Sequence, residues 1–86
     1  MSKYHGLQLH MAALKIDSWR ASFDEIEEIL GFTLPASARN YQAWWANEKE
    51  PHQPQKIAWQ KAGWRVEEMN LKATTVRFVR IERNRR

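Results

Sequence analysis

The sequence predicts an α+β fold: a winged-helix-like domain with a helix-turn-helix core, a short extra helix and a C-terminal β-hairpin. Two observations carry most of this expectation. Residues 22–47 read as a capped amphipathic helix, a glycine break and a second helix loaded with aromatics and amides. Residues 64–81 hold two runs of strand formers on either side of a polar turn, the pattern of an antiparallel hairpin. A third, weaker one is the short run 18–22, where Trp19 and Ala21 can share one face of a strand that leads straight into the capped helix.

In chain order, Tyr4, Leu7, Met11 and Leu14 recur every three or four residues, so residues 3–14 form a first helix with one apolar face. After the short strand, Ser22 and Glu25 have the spacing of a capping box, and Asp24 adds negative charge at the positive end of the helix dipole. Phe23, Ile26 and Leu30 share the buried face, with Ile29 beside them, and Gly31 suits a left-handed closing position. The next helix starts at Pro35 or at Ser37. At about 100° per residue, Leu34, Ala38, Tyr41 and Trp45 then form its buried stripe, Ala36, Arg39, Asn40, Ala43 and Asn47 lie broadly opposite, and Ser37 and Trp44 flank it. Residues 48–54 are a loop ending in Pro54, which fits the first turn of a short helix that stops at Gly63. In the hairpin, Trp64 and Val66 meet Val76 and Phe78 on one face, leaving Arg65, Arg77 and Lys72 exposed or at the turn.

Composition narrows the function. A chain of 86 residues is one domain, near the lower end of what a hydrophobic core supports unaided, and residues 82–86 read as a flexible basic tail. It has no cysteine, so disulfides and thiolate metal sites are excluded; five Trp, three Phe and two Tyr supply buried area instead. No stretch is apolar for long enough to cross a bilayer and residues 1–6 lack a secretory hydrophobic region, so the expectation is a cytoplasmic protein without a membrane partner. The formal charge of +4 resides in the last ten residues, where five arginines face one glutamate; nine basic and nine acidic residues balance in the rest.

No catalytic constellation is legible. Asp24, Glu25, Glu27 and Glu28 read as the solvated side of a capped helix, and no nucleophile elbow or phosphate-binding glycine loop is present. His5, His10 and His52 lack the convergent spacing of metal ligands, so neither metal nor cofactor is expected, and an enzyme is not.

What the pattern does suggest is recognition of double-stranded DNA, in a regulatory setting. Arg39, Asn40 and Asn47 on the second helix would specify or position, because Arg pairs with guanine and Asn with adenine in the major groove. Ser37 would donate to a phosphate near the helix start, and Lys72, Arg77 and Arg80 would anchor the backbone from the hairpin. Trp44, at the edge of the polar face, either covers a neighbouring element or stacks on a ligand. The alternative is a protein-interaction module that presents Trp44 and its neighbours to a partner protein.

The combination Phe23-Asp24-Glu25-Ile26-Glu27-Glu28-Ile29-Leu30-Gly31, Leu34-Pro35-Ala36-Ser37-Ala38-Arg39, Trp44-Trp45-Ala46-Asn47 and Ala58-Trp59-Gln60-Lys61-Ala62-Gly63-Trp64-Arg65-Val66 resembles a family of small, mostly bacterial domains of unknown function. The resemblance covers most of the chain. It implies no activity or ligand; domains like it occur alone or attached to other modules, which fits a recognition accessory better than an enzyme. This chain departs from the family at the start of the short helix, where Gln53-Pro54-Gln55-Lys56 replaces the usual alanine-rich turn.

Overall fold

The computed structural model of the protein describes residues 3–81, and the expected basic tail at 82–86 lies outside them. The elements are α1 (His5–Ala13), β1 (Ser18–Ser22), α2 (Phe23–Leu30), α3 (Ala36–Asn40), a 3₁₀ turn (Gln42–Trp45), α4 (Pro54–Lys61), β2 (Trp64–Asn70) and β3 (Thr75–Arg80). The fold is mixed α+β, with four helices and a three-stranded antiparallel sheet ordered β1-β3-β2. None of the helices described is long and apolar enough to cross a membrane.

Local chemistry sets most of the boundaries. Ser22 Oγ accepts the Glu25 N–H at 3.0 Å and fixes the start of α2 directly after β1. Gly31 ends it at φ 84°, a left-handed conformation that costs glycine little, with its N–H on the Glu27 carbonyl at 2.8 Å. Pro54 occupies the first turn of α4, and Gly63, at φ 92°, turns the chain into β2. At the hairpin tip the Asn70 Oδ1 accepts the Ala73 N–H at 2.9 Å. Thr74 there takes the left-handed φ of 55° that an Asn-Gly pair would otherwise supply.

The pleat then sorts the sheet into two faces. Trp19, Ala21, Trp64, Val66, Val76 and Phe78 point to the core, and Phe78 on the central strand stands opposite both Trp19 and Val66. Helices cover that face: α1 contributes Leu7 and Met11, α2 Phe23 and Ile26, and α4 Ala58 and Trp59. An aromatic column runs through the middle. Phe23 stacks on Trp45 at 4.9 Å and Trp45 on Trp59 at 5.8 Å; Trp59 leans on Phe78 at 5.4 Å, and Phe78 stacks on Trp19 at 5.7 Å.

One element differs from expectation. The second helix of the pair, expected to start at Pro35 or Ser37 and to carry Asn47, breaks at Tyr41, which takes extended dihedrals (φ −129°, ψ 122°), and the chain resumes as the 3₁₀ turn. In an unbroken helix the Ala38 carbonyl would accept the amide four residues on, that of Gln42. Here it accepts the Trp45 indole N–H at 2.8 Å instead. The break swings Trp45 under the column while Tyr41, placed in the core by the helical period, is 65% exposed. Leu34, Ala38 and Trp45 are buried as the stripe requires.

Candidate functional site

The eight residues expected to contact nucleic acid do not assemble into one face. Arg39 turns back to α2. Its Nη2 donates to Asp24 Oδ1 at 3.2 Å and to Glu27 Oε2 at 3.0 Å, with the guanidinium 5.5 Å from the centre of the Phe23 ring. Glu27 Oε2 also accepts the Leu34 N–H at 2.8 Å. That amide bond, then the bond from Arg39, holds the Glu27 carboxyl below the usual carboxylate range, and Glu27 in turn raises the Arg39 pKa. The acidic set on α2, read as a solvated face, is thus in part a clasp between α2 and α3.

Asn47 is committed in the same way. Its Nδ2 donates to the Val66 carbonyl at 2.7 Å and its Oδ1 accepts the Val66 N–H at 2.9 Å. Trp44 is half-buried, packed edge-to-face against Trp45 at 4.7 Å and Tyr4 at 6.0 Å, so it covers neighbouring elements. On β3, Arg77 points to the outer face of the sheet, 2.8 Å from Glu67 and 3.9 Å from Glu68, and donates to Ser18 Oγ at 3.3 Å. Arg80 points to the other face. It lies 4.5 Å over Trp64, bonds the carbonyls of Leu14 (2.8 Å) and Ile16 (2.9 Å), and pairs with Asp17 at 3.4 Å, fastening the link between α1 and β1. Asn40 is exposed at the end of α3 and Lys72 at the hairpin tip; Ser37 is half-buried, its carbonyl bonded to the Tyr41 N–H. Among the described residues no group of three or more His or acidic side chains is placed to hold a metal ion.

A different site emerges beside β2. The 3₁₀ turn and the residues that follow it stand off from that strand, leaving a groove of about 390 Å³ lined by Ala43, Trp45, Ala46, Asn47, Val66 and Met69, with Gln42, Glu67 and Glu68 at its margins. Its size is at the lower end of ordinary ligand sites, and its surface is more apolar than polar. The backbone on its strand side is defined by register. The N–H of Ile81 bonds Gly63 and that of Arg80 bonds Asp17, so odd positions of β3 face β2 and even ones face β1. Val66 and Met69 stand opposite the even positions Phe78 and Val76, so their main-chain groups point away from β3, out of the sheet edge. Asn47 fills the edge at Val66; at Met69 no hydrogen bond closes it among the described residues.

The Glu67/Glu68 irregularity creates this second station. Val66 pairs with Phe78 and Glu68 with Arg77, so two residues of β2 stand against one step of β3, a β-bulge. The adjacent Glu67-Glu68 pair, which interrupts the alternation of β2, is the one signal in the sequence that could have located it. Nothing local could have joined Asn47 to Val66, nineteen residues away.

A family model described as a domain of unknown function, DUF7662, matches residues 4–81. The chain belongs to this family. The match starts at the first buried residue among those described in the DUF7662 domain, Tyr4, and ends one residue beyond β3, so it spans every element described. No curated protein and no solved structure shows significant similarity to the chain.

Proposed function

We propose that this DUF7662 domain is a winged-helix-like recognition module that binds a partner protein through the groove beside β2, in the cytoplasm and without catalysing a reaction. The topology supports the architectural part: a helix, a strand, two helices and a hairpin follow one another, β1 pairs with the second hairpin strand, and α4 is an insertion. The cysteine-free composition fits a reducing compartment.

One observation carries the choice of ligand. Two of the three side chains suited to reading bases are already engaged within the protein, Arg39 by Asp24 and Glu27 and Asn47 by Val66, leaving Asn40, whereas an apolar groove with an open strand edge is free. A duplex reader needs cations aimed at phosphates, and Arg77 and Arg80 are paired with Glu67, Glu68 and Asp17. Backbone groups and a hydrophobic floor are what an extended protein segment requires.

Backbone amide spectra test the assignment. Peptides selected from a random library on the immobilised domain are expected to shift the Ala46, Glu68 and Met69 amides and leave those of α3 in place, with little dependence on salt. If a random-sequence duplex instead shifts Asn40, Gln42 and Lys72, with affinity falling steeply as salt rises, DNA is the ligand and the groove reading is wrong.

A further inference from the structure

We infer that the occupant of the groove is an extended segment of the partner protein in which basic and apolar residues alternate, added as a short strand to the edge of β2 at Met69. This rests on the groove being the binding site. The backbone supplies the first argument: the Met69 N–H and C=O point out of the sheet into the groove, and an edge with open groups is a template for one more strand about 4.8 Å away. Asn47 shows how that edge is satisfied, since its amide gives Val66 the same donor and acceptor pair that a neighbouring strand would give. It also sets the limit, because the added strand must stop where the Asn47 side chain already stands.

The pleat supplies the alternation. Met69 belongs to the core face of β2 and Glu68 to the outer face, and a strand laid alongside follows the same alternation. Its inward side chains therefore meet the apolar wall of Trp45, Ala43 and Ala46. Its outward side chains come beside Glu67 and Glu68, whose carboxylates pair with Arg77 of the central strand, with Arg20 of β1 and Arg65 of β2 on the same outer face. Of these charged groups the two carboxylates stand nearest the open edge at Met69, with side chains 41% and 65% exposed, so a lysine or arginine is the complementary outward residue.

The test uses the whole chain and the acetylated peptide Lys-Val-Lys-Val-Lys. It is expected to shift the Ala46, Glu68 and Met69 amides. N-methylation of one alternate set of its amides weakens binding at least about tenfold, while methylation of the other set is tolerated, as only one edge of the peptide faces β2. Glu-Val-Glu-Val-Glu binds several-fold more weakly, and the Glu67→Gln, Glu68→Gln double variant removes that preference. Met69→Pro deletes an outward N–H without touching a bond to β3 and abolishes binding; Met69→Leu does not. Equal binding of the basic and acidic peptides, or indifference to both methylation patterns, overturns the inference while shifts at Ala46 and Met69 leave the groove reading standing. If no peptide shifts those amides, both fall.

Discussion

Glu27 shows how much a single side chain does in a domain this small. One carboxylate oxygen accepts the Leu34 N–H and the Arg39 guanidinium, so it closes the link between α2 and α3 and neutralises the cation best placed to leave the surface. Its pKa is lowered in the fold, so the unfolded chain binds a proton more readily, and the stability this provides is complete above the ordinary carboxylate range and is lost as the pH falls through the depressed native value. Glu27→Gln is therefore expected to cost about 1–2 kcal/mol at neutral pH and to flatten the fall in melting temperature as the pH drops below the ordinary carboxylate range, read from thermal melts in acid. Equal acid sensitivity in the two proteins would place the acid-labile group elsewhere. Asn47→Ala leaves the Val66 N–H and C=O without partners at a part-buried edge and is expected to cost about 1–3 kcal/mol in urea denaturation. A duplex reader would tolerate that change without loss of stability.

The best-read elements are those whose limits are set by near neighbours. Ser22 capping Glu25, Gly31 closing α2 and the alternation of Trp64 and Val66 against Val76 and Phe78 are all local patterns, and each appears in the fold as the residues suggest. Ser22→Ala should lose about 1 kcal/mol through the uncapped helix start. Gly31→Ala should lose a similar amount, about 1 kcal/mol, from strain in the left-handed backbone alone, since no atom lies within 4 Å of the added methyl. Chemical denaturation of both variants, with binding unchanged, checks these values. The helix after Gly31 is different. Its period is intact in sequence, yet Trp45 withdraws the Ala38 carbonyl from the helical ladder, and what makes that exchange favourable is the stacking of Trp45 between Phe23 and Trp59, which come from elements upstream and downstream.

For the whole molecule, the aromatic column stands in for the disulfides the chain lacks. It ties α2, the 3₁₀ turn, α4 and two strands of the sheet through one line of ring contacts. A domain of this size is stable by roughly 5–10 kcal/mol. Trp59→Ala, at a fully buried position in the middle of the column, removes about 3–5 kcal/mol and should lower the melting temperature by well over 10 °C in circular dichroism. Charge is settled at this scale too. The sequence places a net +4 on the chain; among the described residues the arginines of α3 and β3 meet carboxylates of α2, β2 and the α1–β1 link, and Arg83, Arg85 and Arg86 lie outside those residues.

By itself the sequence determined the α+β class, the capped helix α2, the hairpin and the face its core residues share, and the aromatic make-up of the core, because caps, turn residues and alternation act within a few residues of each other. Only the tertiary structure decided where the second helix of the pair stops, that Arg39 and Asn47 serve the fold, and that a groove opens between the 3₁₀ turn and β2. Those outcomes depend on partners distant in sequence, Asp24 and Glu27 for Arg39 and Val66 for Asn47, whose proximity no local period encodes.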